Sequence, residues 1–160
     1  MHIKKLTENG IGLVEVILAL GISIIVITAL VSLSIYTLRS SLNSKLLLNG
    51  TKLANAEVEM VRGYRDTVGW ATFASDMQNC SSTCYFSSAN TLVFGTDGIE
   101  TVSNGNPAED IARYFVALDG ITNGVVTGTT TIIRINVITS WTVGGVAKYA
   151  RVSTDLSNWR

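Results

Sequence analysis

The longest apolar stretch of the chain lies near its N-terminus. From Val16 to Leu38, 23 residues carry no charged side chain, and most of them are Ile, Leu, Val or Ala. Because about 20 apolar residues in a helix cross the hydrocarbon core of a bilayer, this stretch predicts one membrane-spanning helix. Glu15 directly precedes it. A carboxylate deep in lipid costs about 2.5–3.5 kcal/mol on insertion scales, so its presence here indicates a function.

A helical period continues beyond the uncharged stretch. Between residues 39 and 66 the apolar side chains recur at helical spacing. They are Leu42, Leu46, Leu53, Ala56, Met60 and Tyr64. We therefore expect one unbroken helix from Ile11 to about Arg65, in which the Ser and Thr hydroxyls bond back to their own turn and the second half packs against a head. Gly50 weakens this helix by about 1 kcal/mol relative to Ala and could mark a bend.

The remainder of the chain, residues 67–160, is dominated by strand and turn signals. After a short helix within residues 68–77, strands are predicted at 91–94, 111–118, 129–143 and 146–154, with Gly144-Gly145 as a hairpin turn; residues 79–90 are expected to be a loop in which 84–86 could be a short strand. In the strongest of these, Ile133, Ile135 and Val137 fall on one face. Three or four antiparallel strands against one face of a helix give an α+β head.

Composition and charge exclude several classes of protein. The chain has 160 residues, a formal net charge of zero and 15% charged residues, which excludes a strongly basic nucleic-acid binder. Residues 67–160 hold five basic and seven acidic side chains, so no basic patch for nucleic acid is indicated. The head also lacks histidine, a G-x-S-x-G motif and a phosphate-binding glycine loop. No catalytic residue, cofactor or enzyme activity is therefore predicted.

The residues around the apolar stretch favour one topology. Lys4 and Lys5 precede it, which favours a cytoplasmic N-terminus and an extracytoplasmic head. A secretory signal has an apolar region of about 7–15 residues followed by a small-x-small cleavage site. The stretch here is longer, and residues 35–38 offer no such site. The helix is therefore expected to stay attached to the head as an anchor.

Gly10, Ile11 and Glu15 together carry a resemblance to a known family. A short basic leader ends in Gly10, Ile11 follows, and Glu15 is the fifth residue after that glycine, inside an apolar helix. This pattern resembles the N-terminus of type IV prepilins and pseudopilins. Ile11 stands where the family usually has Phe, and Gly12 where it often has Thr or Ser. The resemblance covers about a fifth of the chain directly.

The resemblance implies processing and assembly. A prepilin peptidase would cleave between Gly10 and Ile11, and the new amine of Ile11 would be methylated. Glu15 would neutralise the N-terminal amine of a neighbouring subunit in a filament. The chain then divides into a leader (1–10), a transmembrane and filament-core helix (11–38), the amphipathic half of that helix (39–66) and a β-rich head (67–160). Its partners would be itself or other pilins, the peptidase and the cytoplasmic membrane, and its destination an extracellular or periplasmic filament.

Two functions of different classes remain at this stage. The first is a structural subunit, major or minor, of a type IV pilus or a type II secretion-type pseudopilus. The second is an extracytoplasmic binding module tethered by a single membrane helix. Gly10 together with Glu15 favours the first, because a tether requires neither.

Two further groups could carry chemistry in the head. Cys80 and Cys84 are the only cysteines and could form a short-loop disulfide outside the cytoplasm, or remain reduced thiols. They do not indicate a metal site, since the only histidine is His2. Residues 97–110 are expected to form a loop. Its acidic residues, Asp97, Glu100, Glu109 and Asp110, could hold calcium, as in some pseudopilins, but they lack the alternating calcium-loop spacing, so a solvated loop is the preferred interpretation.

Overall fold

The computed structural model describes residues 9–87, 91–95, 99–103 and 105–158, with the backbone alone for residues 9–11. The chain divides into two compact units, Met1–Ser41 and Leu42–Arg160. Helix α1 contributes to both units. The helices are α1 (Asn9–Val68) and α2 (Trp70–Gln78), with a 3-10 turn at Pro107–Glu109. The strands are β1 (Cys84–Phe86), β2 (Leu92–Phe94), β3 (Glu100–Val102), β4 (Ile111–Asp119), β5 (Ile132–Val143) and β6 (Val146–Ser157).

The second unit is built on an antiparallel sheet of the order β2-β1-β4-β5-β6, in which β3 also pairs with β4. β4, β5 and β6 form a meander with an uninterrupted register. The two-residue turn between β5 and β6 has positive φ at both glycines, 60° at Gly144 and 79° at Gly145. This is the backbone that a tight hairpin turn requires, and glycine adopts it without a steric cost.

The α+β fold class is confirmed, since a long N-terminal helix precedes an open antiparallel sheet, and the part of this helix that belongs to the second unit packs on that sheet. The expected number of strands was wrong, because the described residues form six strands rather than three or four. Residues 97–110 were also expected to be a loop, yet they contain β3 and the 3-10 turn. β1 and β2 lie at the expected positions 84–86 and 91–94, whereas β3, also three residues long, was not predicted. A strand that short inside a stretch of turn residues shows too little alternation to be distinguished from a loop by its sequence.

The face that α1 buries differs from the predicted stripe. Leu46 is fully buried as expected, and Leu42, Leu53, Met60 and Tyr64 pack at the margin of the core. Ala56, however, is exposed. The fully or nearly fully buried positions are Leu46, Gly50, Ala54, Glu57, Val58 and Val61. Of the six predicted positions only Ala56 was wrong, but the prediction missed the centre of the buried face because a charged residue, Glu57, occupies it.

The core of the second unit lies between α1, α2 and the sheet. Ile133, Ile135 and Val137 are fully buried, which confirms the face predicted for β5. Phe73 of α2 is also fully buried, and Trp70 packs beside it. The same cluster includes Ala54, Val58 and Val61 of α1 and Ala74, Met77, Cys80, Cys84, Phe86, Phe115, Ala117, Val126 and Leu156. A second, smaller cluster is formed by Leu46, Ile111 and Trp141.

Gly50 permits a close approach between α1 and β5. A Cβ atom added there would lie 2.9 Å from Cζ3 of Trp141 and 3.0 Å from Oγ1 of Thr139, both buried side chains. Gly50→Ala is therefore expected to lower the free energy of unfolding by about 1–2 kcal/mol, because overpacking exceeds the gain in helix propensity. Gly63 of the same helix has no such neighbour. Gly63→Ala is the matched control and should stabilise by about 0.5–1 kcal/mol in the same denaturation experiment.

Candidate functional site

The first unit exposes an apolar surface on every side of the helix. From Gly12 to Ser41 each side chain of α1 is exposed. The large apolar residues among them are between 47% and 71% accessible. It is the one helix in the described residues long and apolar enough to span a membrane. Because a helix that is apolar all round requires a lipid or protein environment, this segment is the first candidate site.

Hydroxyl groups on this helix are satisfied within the helix itself. Between Ser23 and Thr37, each Ser or Thr hydroxyl donates to a carbonyl three or four residues earlier, at distances of 2.7–3.0 Å. They belong to Ser23, Thr28, Ser32, Ser34 and Thr37. In hydrocarbon an unpaired hydroxyl is costly, so this bonding makes the residues compatible with an apolar environment. The expectations of an unbroken helix and of back-bonded hydroxyls are both confirmed.

Glu15 lies on the exposed surface of this helix. It is four residues, about one turn or 6 Å, beyond Ile11. Gly10 and Ile11 lie within α1 as backbone. The structure therefore brings the cleavage position and the carboxylate to the same end of one helix. It leaves the assignments of cleavage, methylation and pairing as predictions.

A buried charge cluster, formed by Glu57, Glu100 and Arg113 around the main chain of Phe86, is the second candidate site. The Glu57 side chain is fully buried, and its Oε1 accepts the N–H of Phe86 at 2.6 Å. Its Oε2 lies 3.1 Å from Nη1 of Arg113 but accepts no hydrogen bond. Nε of Arg113 donates to Oε2 of Glu100 at 2.5 Å, and its Nη2 donates to the carbonyl of Phe86 at 3.0 Å. The cluster thus joins α1, β1, β3 and β4.

The buried charge cluster lies where β1 and β3 both pair with the same edge of β4. β1 pairs with β4 through Cys84 and Phe115. Continued for two residues, that register would place Phe86 opposite Arg113, but there Glu100 of β3 pairs with Arg113 instead. The side chains of Glu57 and Arg113 therefore supply the main-chain bonds of Phe86 that β4 does not supply. A buried peptide group left unpaired would destabilise the fold.

The charges of the cluster are unbalanced, with two carboxylates and one guanidinium. Burial raises the pKa of Glu57 above its ordinary value, and the charge of Glu100 adds to this effect, while the N–H of Phe86 and Arg113 oppose it. The sequence prediction missed the burial of Glu57. Its burial could have been inferred from its position three residues after Ala54 and four before Val61, on the face that these flanking apolar residues bury.

The two cysteines form the predicted bond. Cys80 and Cys84 are joined by a disulfide with a Cα–Cα distance of 5.5 Å, within the usual range, and both are fully buried. The bond links the residues just after α2 to the first residue of β1. It therefore fixes the start of the strand whose last residue, Phe86, enters the buried charge cluster.

The acidic residues of 97–110 have separate environments. Glu100 belongs to the buried charge cluster, and Glu109 pairs with Lys45 of α1 at 2.6 Å. Asp110 has a buried oxygen, Oδ1, without a hydrogen-bond partner in the described part of the chain, and Asp97 lies outside the described residues. Across the described residues, no three His, Cys, Asp or Glu side chains are grouped as metal ligands.

Comparison of the chain with protein-family models, with curated proteins and with solved structures found no match.

Proposed function

We propose that this protein is a structural subunit of a type IV pilus or of a type II secretion-type pseudopilus, processed after Gly10 and assembled through its N-terminal helix. The observation that supports it is a helix that is apolar on all sides from Gly12 onwards and carries one carboxylate, Glu15, at its start. This carboxylate is the fifth residue after the glycine that ends a short basic leader.

Glu15 has a physical role in such an assembly. A buried carboxylate and a buried ammonium are each costly alone, and much less so when they meet. After cleavage, the amine of Ile11 in one subunit would be the partner of Glu15 in its neighbour. Because the pair forms only at one axial stagger, it would select the register at which each subunit is added, while the apolar side chains supply most of the affinity.

The fold and the disulfide support the same proposal. The order of a long helix followed by an antiparallel sheet is the order that the resemblance to pilins implies. The Cys80–Cys84 bond is typical of proteins that fold in an oxidising compartment, and so favours a head outside the cytoplasm. The subunit would be stored in the cytoplasmic membrane with a single span and then be extracted into a filament.

The intact mass of the protein recovered from cell envelopes tests this proposal. We expect a chain that begins at Ile11 and is one methyl group heavier than its sequence. Gly10→Val should give a chain that still begins at Met1, because the resemblance implies that the peptidase cleaves after a glycine at that position. Gly12→Val is the matched control and should still be cleaved. A wild-type chain beginning at Met1 in cells with an active prepilin peptidase would contradict the proposal and favour a tethered binding module.

A further inference from the structure

The proposed function assigns no role to the buried charge cluster. Glu57 is the only one of its two carboxylates that is fully buried, since the Glu100 side chain is 27% accessible. Among the described residues, the charged groups that face Glu57 are Arg113 from β4 and Glu100 from β3. β1 contributes only the N–H of Phe86.

The two carboxylates compete for one guanidinium, and Glu100 holds the stronger position. It lies directly opposite Arg113 in the β3–β4 ladder and accepts its Nε–H at 2.5 Å. Glu57 receives only the 3.1 Å contact between its Oε2 and Nη1, which lacks hydrogen-bond alignment. Oε2 can therefore take up a proton without displacing a donor, while Oε1 continues to accept the N–H of Phe86.

The protonation state of Glu57 affects the strands β1 and β2 of the sheet. The paired strands β1 and β2 (Cys84–Phe86 and Leu92–Phe94) are called the β1–β2 hairpin here. Among the described residues, this hairpin pairs with β4 only at Cys84. At its other end, the contacts to Glu57 and Arg113 fix Phe86. When Glu57 is ionised, the buried charge cluster carries one excess negative charge. The free-energy cost of burying that charge falls when the hairpin opens and water reaches it.

We propose that Glu57 is a proton-operated latch for the β1–β2 hairpin, which is held most firmly when Glu57 is protonated and opens more readily when Glu57 is ionised. This property belongs to the second unit, Leu42–Arg160, and is independent of the proposed filament. The sign follows from linkage. Because the pKa of Glu57 is raised in the closed state, the closed state binds the proton more tightly than the open one. The closed state therefore loses stability as the pH rises from the pKa of Glu57 in the open state through its pKa in the closed state.

Hydrogen exchange measured by mass spectrometry on the full chain in detergent micelles tests this latch. The readout is the opening of residues 84–94 between about pH 4.5 and pH 8, corrected for the intrinsic pH dependence of exchange. Opening is expected to rise with pH, about tenfold for each pKa unit that separates the closed from the open state of Glu57. In Glu57→Gln, which keeps the acceptor for Phe86 but cannot ionise, opening should be independent of pH.

Two further variants distinguish the latch from a general effect of pH. Glu59→Gln changes an exposed carboxylate two residues along the same helix and should retain the wild-type pH dependence. Glu100→Gln removes the competing negative charge and frees Arg113 for Glu57, so the midpoint of the transition should move to lower pH. A pH-independent wild type would overturn the proposal, as would a Glu57→Gln variant that keeps the wild-type slope.

A direct titration does not depend on any variant folding. The carbon resonance of the Glu57 carboxyl group, followed in the wild-type chain, should titrate above the ordinary value of 4.5. Titration at or below that value would mean that the ion pair with Arg113 outweighs burial. The hairpin would then be held most firmly by the ionised form, and the proposed latch would be wrong.

Discussion

Replacing Glu15 by leucine is expected to abolish filament assembly while leaving the protein in the membrane. The substitution removes the carboxylate that lies inside the apolar part of the helix, so insertion becomes easier by about 2–3 kcal/mol. The amine of Ile11 in the neighbouring subunit, however, would lose its partner and would be buried as an unpaired charge. Removal of one member of a buried ion pair costs about 3–5 kcal/mol, and in a filament this cost recurs at every subunit. The measurement is the amount of the protein in sheared filaments relative to the amount in the membrane.

Three substitutions make this experiment specific. Glu15→Gln keeps the size and polarity of the side chain but not its charge, so it should also fail if the charge is what matters. Glu59→Gln changes an exposed glutamate in the head portion of the same helix and should assemble as the wild type does. Gly12→Ala keeps the apolar surface of the helix and the charge of Glu15, and is expected to assemble. If Glu15→Leu assembled normally while being cleaved after Gly10, the pairing role would be excluded although the processing would stand.

The long elements of this fold could be predicted because their patterns extend over many residues. The uncharged stretch from Val16 to Leu38 and the alternation of Ile133, Ile135 and Val137 are each sustained for several turns or pleats. The Gly144-Gly145 turn was predictable for a different reason, since both residues need a positive φ. In these places, local preference and tertiary packing favour the same structure.

The elements that could not be predicted depend on contacts distant in sequence. β3 is a strand because Glu100 lies opposite Arg113, and three residues within an acidic loop give no sign of this pairing. Glu57 was overlooked for a related reason, because a charged residue on a helix is usually solvated. Its burial is possible only because Arg113 and the N–H of Phe86 are brought to it by the sheet. The roles of Gly10, Ile11 and Glu15, in contrast, rest on the resemblance to type IV prepilins and stay predictions.

Arg113→Met is expected to destabilise the head by about 3–5 kcal/mol at neutral pH. Methionine preserves much of the length of the side chain but leaves Glu57 buried without a counter-charge and the carbonyl of Phe86 without its donor. Arg134→Met is the matched control. Arg134 also lies in a strand and pairs with a carboxylate, Asp155, at 2.7 Å, but on the surface, so its loss should cost at most about 1 kcal/mol. Denaturation of the full chain in micelles, followed by tryptophan fluorescence, compares the two variants.

The stability deficit of Arg113→Met is the free energy of unfolding that the variant loses relative to the wild type. Its pH dependence distinguishes the loss of a charge partner from a loss of packing. Without the guanidinium, the pKa of Glu57 rises further, because burial and Glu100 are then opposed only by the N–H of Phe86. A carboxyl group whose pKa is raised by folding contributes its stability below the unfolded value of 4.5 and loses it as the pH rises through the folded value. The deficit should therefore be smallest in acid and largest above neutrality.

Adding Glu57→Gln to Arg113→Met should recover much of the deficit at neutral pH, since no buried charge then remains at position 57. A deficit that is the same at every pH, and unchanged by Glu57→Gln, would show that Arg113 acts through its volume and its bond to Phe86 rather than through its charge.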